Sequence, residues 1–271
     1  MTTATMQESA PASASAATQA AKTPFLRMEN VSRHFGSLKA VDGVSFEMRA
    51  GEMRAVIGPN GAGKTTFFNL ISGLLPPTTG QVIFEGENIT QQTIVHRVAK
   101  GIVRTFQITE ILPDLSVYEN IRIGVETAAG LNAKPWIGRD QRTVVNRRVD
   151  ELLDIVGLAG KSRRTVGELA HGDQRVVEVA VALSVKPRLL LLDEPTAGMG
   201  DTETDHMVDL VRRLHQDQGM SILFIEHDMD IVFGIAQHIT VLDQGRVLAD
   251  GTPDAISNDP KVRAAYLGSI E

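Results

Sequence analysis

The chain has 271 residues, a formal net charge of -6 and no cysteine. Its 42% hydrophobic content suits a packed globular protein of one large or two modest domains. The acidic balance argues against nucleic acid as the main partner, the missing thiols exclude disulfides and thiolate metal sites, and no apolar run of about 18 residues is present to cross a membrane.

Residues 1–22 are nearly all Ala, Ser, Thr, Gln and Pro and lack the basic start and apolar middle of a secretory signal. They read as a disordered tail. From Phe25 short strands are expected at Phe25 to Val31, Val44 to Arg49 and Gln81 to Glu85, the last followed by a turn at Gly86-Glu87-Asn88. Together they suggest an antiparallel β piece. Between them, Glu52 to Ile57 reads as a short buried strand and Lys64 to Ser72 as a helix closed by Gly73.

The segment joining that strand to that helix, Gly58-Pro59-Asn60-Gly61-Ala62-Gly63-Lys64-Thr65-Thr66, is a complete phosphate-binding loop in the context such a loop requires. Its glycines let the backbone wrap inward so that successive N–H groups, with the positive end of the helix, point at the phosphates of a nucleoside triphosphate. Lys64 adds a point charge, and the Thr65 hydroxyl is suited to ligate Mg²⁺.

From Leu115 to Leu169 the period becomes helical, with Val144, Val145, Val149, Leu152, Leu153 and Val156 forming one apolar face read as core. The last third alternates: strand Leu189 to Leu192, helix Thr202 to Gln216, strand Ser221 to Ile225, helix Met229 to Ala236. A closing hairpin of Ile239 to Leu242 and Val247 to Ala249 follows. The expected fold class is therefore α/β, a phosphate-loop NTPase core whose parallel sheet is covered by helices, beside the antiparallel β piece and a helical unit over about residues 112–185.

The run Leu189 to Leu192 ends in Asp193-Glu194, as expected of a central parallel strand opening onto a ligand crevice. Asp193 can hold Mg²⁺ in partnership with Thr65, and Glu194 is then free to orient or deprotonate an attacking water. A bare acid pair opening a helix is the simpler alternative for these two. His227, just past another apolar strand, belongs to the same sheet edge and can reach a γ-phosphate, although a lone His is more often a surface or core residue. Gln107, after a short strand in Arg104-Thr105-Phe106-Gln107, can ligate Mg²⁺ or water.

Taken together, these segments resemble the nucleotide-binding cassette of ABC transporters from about Phe25 to the C-terminus. On that resemblance residues 23–271 form one nucleotide-binding domain for ATP and Mg²⁺. Gln107 is the Q-loop glutamine, Asp193-Glu194 the acidic pair of the strand tip and His227 the switch histidine. Leu169-Ala170-His171-Gly172-Asp173-Gln174-Arg175 looks like the LSGGQ-type signature, opening a helix expected over Gln174 to Leu183. In this family two cassettes sandwich two ATP molecules, so Ala170, His171, Gly172 and Asp173 are expected to serve the partner's nucleotide. Phe35 looks like the aromatic that stacks on adenine, with an ordinary core Phe as the alternative.

Within the family the likeness is to the larger cassette of branched-chain amino acid importers, with importers of related polar solutes as near relatives. Phe68-Asn69-Leu70-Ile71-Ser72-Gly73, Arg104-Thr105-Phe106-Gln107, Glu194-Pro195-Thr196-Ala197-Gly198-Met199, Ile225-Glu226-His227-Asp228-Met229 and Tyr266-Leu267-Gly268 carry it. It implies a second cassette, favoured as a distinct subunit, two transmembrane permeases and, indirectly, a solute-binding protein. The expected location is the cytoplasmic side of the inner membrane. Three positions depart from the family pattern: Ala170 lacks the signature serine hydroxyl, His171 replaces a glycine, and Gly200 stands where most cassettes have an Asp. A lipid or polysaccharide exporter, and a soluble ABC-type ATPase, are the alternative functions. A GTPase is disfavoured by the missing Asn-Lys-x-Asp motif.

Overall fold

The computed structural model describes residues 24–105, 111–131 and 138–267. The tail reading and Gln107 fall outside them. In chain order, β1 (Leu26–Phe35) and β2 (Leu38–Met48) form a hairpin, and β3 (Met53–Ile57) leads through the glycine loop into α1 (Lys64–Ser72). Gly73, at φ 82°, ends α1 in a left-handed conformation that favours glycine. The strands β4 (Thr79–Phe84) and β5 (Glu87–Asn88) follow. Glu87 and Asn88, read as turn residues, pair with Phe84 and Ile83 as a short edge strand, and the turn itself is Glu85-Gly86. These strands make an antiparallel sheet of order β2-β1-β4-β5.

Next come α2 (Ile94–Ala99), which the sequence reading did not anticipate, and β6 (Ile102–Arg104). Three helices follow, α3 (Val117–Ala128), α4 (Arg139–Val156) and α5 (His171–Ser184), and they pack on one another. A Ser116–Glu119 capping box starts α3, and Gly157 ends α4 at φ 78°. On α4, Val145, Val149, Leu152, Leu153 and Val156 are buried as expected, but Val144 is 67% exposed. Adjacent to Val145, it lies about 100° further round the helix and misses the core stripe.

The remaining elements are β7 (Leu189–Asp193), α6 (Asp201–Gln216), β8 (Ser221–Ile225), α7 (Met229–Ile235), β9 (His238–Asp243), β10 (Arg246–Gly251), α8 (Pro253–Ser257) and α9 (Pro260–Leu267). The second sheet has the order β10-β9-β3-β8-β7-β6, parallel except for the β9–β10 hairpin. It is buried on both faces, which explains its continuous apolar strands. Leu190 and Leu192 face one hydrophobic core, shared with α3–α6, while Leu189 and Leu191 face another, shared with α1 and the antiparallel sheet. Asp193, Ile225 and Val56 stand on one rung of neighbouring strands, so the segments that follow them emerge at one edge.

Candidate active site

At that edge the glycine loop is held by backbone sterics. Gly58, at φ 153°, leaves no room for a β-carbon, which would lie 2.1 Å from the Leu242 carbonyl oxygen. A β-carbon on Gly63 would lie 2.3 Å from the Ala40 carbonyl oxygen. The β9–β10 turn closes over the loop: Gly245 donates its N–H to the Ala62 carbonyl, and its own carbonyl accepts from Asp42. The Lys64 ammonium donates to the carbonyls of Gly58 (2.7 Å) and Pro59 (3.1 Å). Burial pushes its pKa down, while the charges of Glu194 and Asp193 push it back up.

A cleft of about 520 Å³ opens beside the loop, lined by Asn60, Gly61, Ala62, Gly63, Lys64, Thr65, Thr66, Glu194 and His227, together with Leu38, Lys39, Ala40 and Gln244. Lys39 and Gln244 carry no site role in the sequence, where Gln244-Gly245 reads only as the turn of the closing hairpin and Lys39 belongs to no recognisable motif. Phe35 is 44% exposed with the Arg33 guanidinium 4.7 Å from its ring centre. That exposure removes the alternative of a core phenylalanine. It pairs across the β1–β2 turn with Leu38, a residue of the cleft wall.

Asp193 and Glu194 are adjacent yet aimed differently, because Glu194 has a left-handed backbone at φ 49°. Its carboxylate Oε1 is 2.8 Å from His227 Nε2. Buried Glu226 supports both neighbours, accepting from the Thr196 hydroxyl (2.6 Å) and N–H (3.0 Å) on one oxygen and from the His227 N–H (3.2 Å) on the other. The Asp193 carboxylate instead turns inward to the fully buried Arg104. Neither Arg104 nor Glu226 carried a role in the sequence reading; a charged residue flanking a buried strand was the available signal.

The signature residues do not join this cleft. Ala170 is the N-cap of α5, and His171, Gly172 and Asp173 form its first turn, so the helix begins three residues earlier than expected. Ala170 and His171 are exposed, while Gly172 is buried against Glu203 of α6, whose carboxylate accepts the Gly172 N–H at 3.3 Å. The close approach that Gly172 permits is used within this chain by the Glu203 side chain. Asp173 pairs with Lys161 at 2.6 Å. Gln107 lies outside the described residues.

The family model "ABC transporter" matches residues 41–197, more than half of the chain. The chain belongs to the ABC transporter family as an ATP-binding cassette. A second model, "Branched-chain amino acid ATP-binding cassette transporter", matches residues 246–270 of the cassette. The cassette is 39% identical over 252 residues to the high-affinity branched-chain amino acid transport ATP-binding protein BraF of Pseudomonas aeruginosa, covering 90% of this chain and 98% of that protein. It is 37% identical over 251 residues to LivG of Escherichia coli K12, which carries the same description, with the same coverage. Among solved structures it resembles an ATP-binding cassette of an ABC transporter in its ADP conformation, with a TM-score of 0.80 and 34% identity over 91% of this chain and all of that one. The cassette is thus a nucleotide-binding ATPase.

Proposed function

We propose that this cassette is the ATPase subunit of an importer for branched-chain amino acids or a related small polar solute. The observation that carries the chemistry is the convergence of Lys64, Thr65, Glu194 and His227 on one cleft beside a phosphate-binding loop. Likeness over 90% of the chain to two branched-chain amino acid transport proteins supports the solute class.

In this reading the backbone N–H groups of the loop from Asn60 to Thr66 and the Lys64 ammonium bind the phosphates of ATP, and Phe35 stacks on adenine. Moving Lys64 onto phosphate exchanges two carbonyl contacts for an ion pair. Thr65, Asp193 and Gln107 are hard oxygen donors of the kind Mg²⁺ takes, and the first two belong to the loop helix and the neighbouring strand tip. The cation supplies charge neutralisation to the phosphates. Glu194 orients and deprotonates the attacking water, and His227, bonded to Glu194, stabilises the charge that develops near the γ-phosphate. Ala170, His171, Gly172 and Asp173 act in trans, on the nucleotide of a second cassette, which accounts for their separation from this chain's own cleft.

Among the described residues no helix is long and apolar enough to cross a membrane, so coupling to solute movement requires permeases. An apolar groove of about 200 Å³ suits that contact. It is lined by Val103, Leu112, Ile123, Val181 and Val185, and Leu112 and Ile123 are more than 40% exposed. Val103 and Leu112 flank the segment that contains Gln107, which would link permease contact to the nucleotide site at the cytoplasmic face of the inner membrane. Purification from detergent-solubilised native membranes tests the reading. Two multi-spanning permeases and a second cassette should accompany the protein, and its deletion should abolish branched-chain amino acid uptake. A soluble complex without membrane proteins would favour the non-transport alternative.

A further inference from the structure

We infer that Arg104 is a positioning residue for the metal half of the site, a brace that sets the loop helix against the strand tip. Arg104 ends β6 and is 1% exposed. Its guanidinium is a planar fork whose Nη1 donates to Asn69 Oδ1 on α1 at 2.5 Å and whose Nη2 donates to Asp193 Oδ2 on β7. The fork also lies over the Phe68 ring, 5.5 Å from its centre. Asn69 is four residues after Thr65 on α1, one turn further along the same helix face. One buried side chain therefore joins the helix that carries Thr65 to the carboxylate of Asp193.

Three consequences follow from that geometry. A buried guanidinium bonded to Asp193 holds the carboxylate in one rotamer. Among the described residues Oδ2 alone accepts a hydrogen bond, which leaves Oδ1 for a cation. The brace also springs from β6, the strand paired with β7, so the two described metal side chains, Thr65 and Asp193, are referred to one guanidinium. Lysine cannot reproduce this, since a single ammonium lacks the fork needed to span two partners.

The inference rests on Asp193 and Thr65 being the metal side chains, and the experiment separates the two claims. Calorimetric titration of the purified cassette with a non-hydrolysable ATP analogue, in excess Mg²⁺ and in EDTA, yields the ratio of the two dissociation constants, a readout independent of turnover. Arg104→Lys should leave binding in EDTA within about twofold and reduce the Mg²⁺-dependent tightening about tenfold, the size of one charge-assisted hydrogen bond. Asn69→Ala, which cuts one arm while leaving the ion pair, should reduce it about threefold and serves if the arginine variant fails to fold. An unchanged ratio in the folded variants overturns the brace, as does a larger one, which would make Arg104 a competitor of the cation. Asp193→Asn is the control: if the wild type shows no Mg²⁺ preference, or this variant retains it, the metal assignment fails and the brace with it.

Discussion

His227 Nε2 lies 2.8 Å from Glu194 Oε1, joining the segments that follow two neighbouring parallel strands, β8 and β7. Both side chains are about half exposed and face the cleft beside the glycine loop. The pair combines a carboxylate able to take a proton with an imidazole that holds it in position. Glu194→Gln preserves shape and hydrogen bonding but removes the base. It should bind ATP normally and lose about 10²–10⁴-fold in turnover, accumulating as a closed dimer on gel filtration with ATP. Unchanged turnover would remove Glu194 from this role.

Lys64 makes the opposite case. Its ammonium is buried in the loop and bonded to two carbonyls of that loop. Lys64→Ala should abolish measurable ATP binding while leaving the fold intact by circular dichroism, because the loop shape is set by Gly58 and Gly63. A variant with near-normal affinity would mean that the backbone amides suffice.

Gly58 and Gly61 should respond differently to the same change. A β-carbon at Gly58 meets the Leu242 carbonyl oxygen at 2.1 Å, whereas at Gly61 nothing lies within 4 Å. Gly58→Ala should cost about 2–4 kcal/mol in urea unfolding, and Gly61→Ala about 1–2 kcal/mol for its left-handed backbone alone. Equal losses would show that the loop relaxes around both.

Ala170 caps α5 with an extended backbone and no side-chain bond. Serine at that position can accept from a first-turn N–H, so Ala170→Ser should raise stability by about 0.5–2 kcal/mol. If the added hydroxyl also reaches the partner's nucleotide, hydrolysis should rise by up to about tenfold. Stabilisation without acceleration would confine the missing hydroxyl to a capping role.

Glu178, on α5, has a side chain only 12% exposed, and burial pushes its carboxyl up to about 7 against the opposing pull of Arg175 at 3.2 Å. The folded protein then holds this proton more tightly than the unfolded chain, whose value is 4.5. Stability from this group is therefore greatest below 4.5, falls as pH rises towards 7 and is level above. Glu178→Gln lacks that slope. Between about pH 5 and about pH 8 the variant should gain on the wild type by no more than about 3 kcal/mol in denaturant unfolding. A constant difference would mean that water reaches the carboxylate.

Elements whose signals are local were legible in the residues. The bounds of α1, Lys64–Ser72, with its Gly73 stop, and of β8, Ser221–Ile225, follow from strand pattern, glycine placement and helical period within a few residues of each boundary. The hairpin at β9–β10 and the acidic tip of β7 were visible for the same reason. Val144 shows where such reasoning stops, because an apolar residue at the edge of a helical stripe is assigned to core or solvent by neighbours from other elements.

The sequence by itself determined the α/β class, the glycine loop between strand and helix, and the placement of Asp193, Glu194 and His227 at the ends of neighbouring strands. Each is encoded in a short contiguous stretch whose backbone needs and chemistry are local. Tertiary structure alone decided that Arg104 reaches Asn69, 35 residues away, and Asp193, 89 residues away, and that Glu203 covers Gly172. It also brought Lys39 and Gln244 to the cleft wall. Those pairings depend on strand order and on which face of a buried element a side chain occupies, and both are set by packing the helices and the antiparallel sheet against the two faces of the six-stranded sheet.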